Sequence, residues 1–131
     1  MATILVIDDD AAARRVMVRI LTDAGHQTLE AENGLHGLRQ YKALTPDLVI
    51  TDLIMPVQEG IQTIAEINAS PRRAPIIAVS GGGAGDAGLY LSMAEELGAD
   101  AVLGKPFRSS DLLDLVARLL APAQGRHAAS S

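Results

Sequence analysis

The chain has 131 residues, with 11 Lys and Arg against 16 Asp and Glu for a net charge of −5, and no cysteine. That length suits one domain, the lack of cysteine excludes disulfides, thiolate metal sites and cysteine nucleophiles, and the acidic balance argues against a nucleic-acid surface, which needs clustered Lys and Arg. Hydrophobic residues make up 48% but aromatics only 2%, so the core must be built from Leu, Ile, Val, Ala and Met. No stretch approaches the roughly 20 apolar residues that a membrane span requires. The first apolar run, Ile4-Leu5-Val6-Ile7, is too short for a signal peptide and leads straight into three acids. The chain therefore reads as cytoplasmic.

In chain order, short apolar runs alternate with longer stretches of helical period. Ile4-Leu5-Val6-Ile7 is solidly apolar, as a central parallel strand covered on both faces should be. Residues 11–24 carry Val16, Met17, Ile20, Leu21 and Ala24 at helical spacing, with Arg14, Arg15 and Arg19 on the remaining face, and Gly25 to stop the helix. Gln27-Thr28-Leu29-Glu30-Ala31 alternates polar and apolar, which suits an edge strand. A second helix is expected over 34–44, closed by Pro46. Leu48-Val49-Ile50 is the next strand, followed by a helix over 60–68 marked by Ile61, Ile64 and Ile67. Ile76-Ile77-Ala78-Val79 is the fourth strand, with a helix over 86–97 stopped by Gly98. Ala101-Val102-Leu103 is the fifth, before a helix over 109–120 capped by Ser109 or Ser110. The pattern predicts an α/β fold, a (βα)5 doubly wound parallel five-stranded sheet. The domain is expected over 1–121, with a disordered tail over 122–131.

Ligands of an open parallel sheet bind beyond the C-terminal ends of its strands. The residues just after each apolar run are therefore informative. Asp8-Asp9-Asp10 comes after the first, Asp52 after the third, Ser80 and Gly81-Gly82-Gly83 after the fourth, and Lys105-Pro106 after the fifth, while the edge strand supplies nothing. Two like charges roughly 4 Å apart repel by about 4 kcal/mol at an effective dielectric near 20, so Asp8, Asp9 and Asp52 need a cation. Oxygen-only ligands favour a hard ion such as Mg²⁺. With Lys105 as a compact ammonium and Ser80 as a hydroxyl donor, the set suits phosphoryl transfer, which is mostly positioning and charge neutralisation. A carboxylate is then the acceptor, and Asp52 is the choice because it stands alone after the central strand.

Plainer readings exist for each residue. Asp10 reads as the cap of the helix beginning at Ala11, Asp8 and Asp9 lying before the cap position. Ser80 could serve a turn, Lys105 could be solvated, and the glycine run reads as a loop, since it lacks the Lys and Ser/Thr of a phosphate-binding loop. His26, His36 and His127 read as surface residues, and Met55-Pro56 as a turn.

The sequence resembles the receiver domain of two-component response regulators from about Ala2 to Leu120. The stretches that carry the likeness are Ile4-Leu5-Val6-Ile7-Asp8-Asp9-Asp10, Pro46 through Thr51-Asp52 to Met55-Pro56, Pro75 through Val79-Ser80-Gly81, Leu97-Gly98-Ala99-Asp100, and Lys105-Pro106-Phe107. The resemblance implies the flavodoxin-like strand order 2-1-3-4-5 and a stand-alone response regulator. It implies that Asp52 receives a phosphoryl group from a phosphohistidine on a histidine kinase or histidine phosphotransfer protein. It further implies that Asp8, Asp9, Asp52 and the backbone carbonyl of Ile54 hold Mg²⁺, that Ser80 binds a phosphoryl oxygen, and that Lys105, joined to Pro106 by a cis peptide, neutralises charge. The output would pass through the surface of the 86–97 helix, the 101–103 strand and the 109–120 helix to a downstream protein. No nucleic-acid or membrane partner is expected.

Two departures from the family pattern stand out. Val102 occupies the place three before the lysine where the family carries Tyr or Phe. Ile54 and Gly82, two after the acceptor and two after the hydroxyl residue, are apolar and cannot orient an attacking water, which implies slow loss of the phosphoryl group. Two other readings compete. A phosphorylation-independent interaction module would not need the intact Asp8, Asp9, Asp52, Ser80 and Lys105 set. A flavin carrier would need a phosphate-binding loop where three acids stand, and an aspartyl-phosphate hydrolase would want a second acid at Ile54. The chain is thus read as a signalling phosphoacceptor and not as a turnover enzyme.

Overall fold

A computed structural model of the chain describes residues 2–53, 57–71, 73–80, 92, 95–96 and 98–120. Five strands, β1 (Thr3–Ile7), β2 (Gln27–Ala31), β3 (Leu48–Asp52), β4 (Ile76–Ser80) and β5 (Ala101–Gly104), form one sheet in the order β2-β1-β3-β4-β5. All four pairings are parallel, with Ile4 opposite Leu48, Val49 opposite Ile76 and Ser80 opposite Gly104. The helices are α1 (Ala11–Asp23), α2 (Gly34–Leu44), α3 (Val57–Asn68) and α4 (Ser109–Leu120). The sheet order is the flavodoxin-like one that the resemblance implied.

The solid apolar runs are explained by burial on two faces. Alternate residues Leu5, Ile7, Val49, Ile76 and Ala78 meet Leu38 and Tyr41 of α2 and Ile64 and Ile67 of α3. The other set, Ile4, Val6, Leu48, Ile50, Ile77 and Val79, meets Met17 and Leu21 of α1 and Leu112 and Val116 of α4. Each such aliphatic side chain contributes about 1.5–3 kcal/mol on leaving water, so β1, β3 and β4 are held rigidly at the centre. The alternating segment is indeed the edge, β2, where only Ala31 is fully covered.

Local signals set most of the helix ends. The Asp10 carboxylate accepts from the N–H groups of Ala12 at 2.9 Å and Ala13 at 3.4 Å, the cap read from the sequence. Asn33 caps α2 by accepting from His36 N–H at 2.8 Å, and α1 ends before Gly25, which has φ 96°. Helix α3 starts at Val57, three residues before the expected 60. The cap expected of Ser109 or Ser110 is not what forms. Both serines lie inside the first turn of α4, and Asp111 reaches back to accept from Arg108 N–H at 3.1 Å.

Two glycines let helices come close to the site. A Cβ at Gly60 of α3 would lie 3.2 Å from the carbonyl oxygen of Asp52, and one at Gly37 of α2 would meet Ile7 Cδ1 at 2.5 Å. Of the expected 86–97 helix, only Ser92, Glu95 and Glu96 are described, and these three are helical. The rest of it, Met55-Pro56, the glycine run 81–83 and the tail 122–131 lie outside the described residues. Among the described residues, no helix is long and apolar enough to cross a membrane.

Candidate functional site at the C-terminal edge of the sheet

Each expected side chain that is described is delivered by the end of a strand. Asp8 comes directly after β1, its N–H still tied to Ala31 O at 3.1 Å. Asp52 is the last residue of β3 and Ser80 the last of β4. Lys105 comes directly after β5, its N–H donating to Ser80 O at 2.7 Å. Its peptide bond to Pro106 is cis.

These residues converge. Lys105 Nζ donates to Asp52 Oδ2 at 3.1 Å and to Asp8 Oδ2 at 3.2 Å. Carboxylate oxygens of Asp8, Asp9 and Asp52 all lie within 4.8 Å of one another. Asp8 and Ser80 are fully buried, Asp52 nearly so, and Asp9 faces solvent. Asp8 also accepts the N–H of Asp10 at Oδ1, 2.9 Å away, so its carboxyl is fixed from two sides.

The electrostatics point the same way. Burial pushes the Asp8 carboxyl up to about 6 from its ordinary 3.8, the Asp10 N–H opposing this and the neighbouring Asp52 adding to it. Burial alone would lower the Lys105 ammonium, but the Asp52 and Asp8 carboxylates outweigh it and hold the group above its ordinary value. Lys105 is thus charged at neutral pH. One ammonium faces three carboxyl groups, and the excess negative charge fits a hard divalent cation such as Mg²⁺, for which oxygen ligands at this spacing are suitable donors. Among the described residues, Ser80 Oγ is buried without a hydrogen-bond partner. A buried hydroxyl left unpaired costs about 1–3 kcal/mol, so an acceptor arriving in the cleft has a donor waiting.

Asp8, Asp9, Asp52, Ser80 and Lys105 therefore stand where the sequence put them. The Ile54 carbonyl and Gly82 lie outside the described residues. Val102 is half-buried and packs with the α2–α3 face of the core. His36 is exposed beside Gln40, whereas His26 is partly buried and accepts from Ala2 N–H at 3.3 Å; His127 is outside the described residues.

Two features left no mark in the sequence pattern. Arg14, expected on the solvated face of α1, folds back and donates to the backbone oxygen of Asp8 at 2.6 Å and to Glu30 Oε1 at 3.0 Å. The edge strand, expected to supply nothing, thus reaches the site's margin through Glu30. At the far end of the sheet, Asp100 Oδ2 accepts from Arg73 at 2.7 Å and from Ile76 N–H at 2.8 Å. Neither pairing has a periodic signal, since both join elements distant in sequence.

Comparison with known proteins agrees with this geometry. Residues 4–117 match the response regulator receiver domain family. The chain is 35% identical to the chemotaxis protein CheY of Bacillus subtilis over 92% of its own length and 99% of that protein's. It is 32% identical to CheY of Halobacterium salinarum over 89% and 95% respectively. It is also 34% identical to the transcriptional regulator NtrC of Rhizobium meliloti, of which it covers 25%. Among solved structures, a response regulator receiver domain protein from Clostridium thermocellum superposes with a TM-score of 0.84 at 28% identity, covering 95% of this chain and 98% of that one. NtrX from Brucella abortus gives 0.87 at 27% identity, covering 98% of this chain and 29% of its own. With the fold, the strand-end acids and these relatives in agreement, the chain belongs to the response regulator receiver domain family of two-component signalling.

Proposed function

We propose that the chain is a response regulator receiver that accepts a phosphoryl group on Asp52, with Mg²⁺ as cofactor, from a phosphohistidine on a histidine kinase or histidine phosphotransfer protein. The phosphorylated domain then changes its binding to a downstream protein or passes the phosphate on. The observation that carries this reading is the Lys105 ammonium shared between Asp52 at 3.1 Å and Asp8 at 3.2 Å. It joins the acceptor carboxylate to the acid pair at one point of the cleft.

In the proposed step an Asp52 carboxylate oxygen attacks phosphorus. The new O–P bond forms as the P–N bond to the imidazole breaks, and the imidazole leaves with the electron pair and takes up a proton. Lys105 stabilises negative charge on the oxygens of the acyl phosphate formed. Ser80 Oγ, unpaired among the described residues, donates to a phosphoryl oxygen. Asp8, Asp9 and Asp52 and, as the resemblance implies, the Ile54 carbonyl would hold Mg²⁺, which when bound would supply neutralisation of the phosphoryl charge. The chain acts on itself, so it is a phosphoacceptor and not a turnover enzyme.

An open apolar groove of about 490 Å³ supports a protein as phosphodonor. It is lined by Val16, Met17 and Ile20 of α1 and by Pro106 and Phe107, and Lys105 stands in its wall. The groove thus runs up to Lys105, whose ammonium bonds Asp52 at 3.1 Å. The downstream face is assigned to the 86–97 segment, β5 and α4. With Val102 in place of an aromatic, switching there must use other side chains. The reading carries a cytoplasmic location and no nucleic-acid or membrane partner.

The test is phosphorylation by acetyl phosphate with and without Mg²⁺, read by intact mass, beside Asp52→Asn. One added phosphoryl group that requires Mg²⁺ and vanishes in the variant is expected. No gain under any condition would turn the assignment to a phosphorylation-independent interaction module.

A further inference from the structure

The peptide that joins Asp8 to Asp9 is held from outside the acid cluster. Its carbonyl oxygen, that of Asp8, accepts from Arg14 Nη1 at 2.6 Å. The same guanidinium is anchored through Nε to Glu30 Oε1 at 3.0 Å. The Arg14 side chain is only 17% exposed, against 46% for Glu30, so it lies flat against the sheet margin. Glu30 is itself positioned, because its backbone oxygen accepts from the Gln40 side-chain amide of α2. On the opposite side of the same residue, Asp8 N–H is bound to Ala31 O at 3.1 Å. β2 therefore grips Asp8 twice, once directly and once through Arg14.

From this geometry we infer that Arg14 is a positioning residue that sets the divalent-cation affinity of the site, with Glu30 as the counterion that makes its charge tolerable there. The inference rests on the reading of Asp8, Asp9 and Asp52 as the cation ligands. A free peptide plane between Asp8 and Asp9 can rotate and swing both carboxyl groups off a common point. The planar guanidinium fork blocks that rotation, because its two bonds diverge to acceptors on Asp8, just after β1, and on Glu30 of β2. A positive charge next to a cation site would by itself oppose binding. Pairing with Glu30 offsets it.

Positioning and charge act in opposite directions, so one substitution separates them. Outer partners of metal ligands change affinity by about 10–100-fold. Arg14→Ala is expected to weaken Mg²⁺ binding by about tenfold, measured by amide NMR shifts of the 8–10 loop during a Mg²⁺ titration. Arg14→Lys, which keeps the charge and one donor, is expected to recover part of the loss. Glu30→Gln is expected to weaken binding in the wild-type background and to do nothing further in Arg14→Ala. In acetyl phosphate assays the half-saturating Mg²⁺ rises in Arg14→Ala while the rate at saturating Mg²⁺ is retained.

Binding in Arg14→Ala that is unchanged or tighter than in the parent overturns the inference, since Arg14 would then act by charge or not at all. Should Arg14→Ala not fold, Arg14→Lys decides: affinity equal to the parent overturns it, and an intermediate loss supports it. Asp9→Ala is run alongside. If the parent binds no Mg²⁺, or binds it equally well in Asp9→Ala, it is the underlying cation site that fails, a result distinct from failure at Arg14.

Discussion

Replacing Asp8 by asparagine removes a proposed cation ligand, yet it is expected to stabilise the cation-free protein at neutral pH. The Asp8 carboxyl is fully buried and its proton affinity rises from the ordinary 3.8 to about 6. The folded state therefore binds that proton more tightly than the unfolded chain does. Below 3.8 both states hold it and Asp8 costs nothing. As pH rises from 3.8 to about 6 the folded state must give up a proton it prefers to keep, and the cost is complete above that range. A little over two pH decades at about 1.4 kcal/mol each is about 3 kcal/mol. Asparagine resembles the protonated acid and keeps an oxygen for Asp10 N–H, but places an amide or oxygen without charge before Lys105. The expected gain at pH 7 is therefore about 1–3 kcal/mol. Urea unfolding of both proteins in EDTA between pH 4 and pH 8 measures it. The gap between variant and parent should widen through that window and then stay level. Millimolar Mg²⁺ should stabilise the parent and narrow the gap. A variant less stable than the parent at pH 7 without cation, or a gap that ignores pH, would refute the assignment of Asp8 as a strained buried acid.

Three further outcomes are expected. With Ile54 and Gly82 unable to orient water, the acyl phosphate should decay over minutes or longer in Mg²⁺ buffer, and decay within seconds by intact mass would contradict this. Val16 is 58% exposed on the groove beside Lys105, so Val16→Asp should impair phosphotransfer from a phosphohistidine protein while acetyl phosphate still works; equal loss with both donors would place the defect in the site itself. Gly37→Ala should destabilise the fold by about 1 kcal/mol net, overpacking of about 1–3 kcal/mol against Ile7 being offset in part by about 1 kcal/mol of helix propensity; urea unfolding reads it, Ile7→Val should recover part, and an unchanged midpoint would show that α2 can give way.

Much of this architecture was legible because burial writes itself into the order of residues. β1, β3 and β4 are covered on both faces and so carry unbroken aliphatic runs, while the exposed side of β2 shows as alternation. The site was legible for a related reason. In a parallel sheet all strands point the same way, so the residues that end or succeed each run come to one edge, and Asp8, Asp52, Ser80 and Lys105 meet there. Other features left no such trace. The α4 cap turned on which of several small polar residues reached Arg108 N–H, and Asp111 does so from three residues on, the position from which a side chain folds back to the cap. Arg14 looked like its neighbours Arg15 and Arg19, and only the approach of Glu30 from another strand distinguishes it. Pairings between elements far apart in sequence cannot be read from either element alone.

Lys105 closes its contacts with Asp8 across 97 residues of chain and with Asp52 across 53. These contacts draw on both ends of the domain and on three of its five strands. No fragment that stops before β5 can assemble them, so a nascent chain becomes competent for the proposed chemistry only when its last strand has docked. Chemical competence thus reports that the first, third and fifth strands have come together. The same wiring makes the geometry of the acid cluster depend on the docking of β5 as well as on β1 and β3.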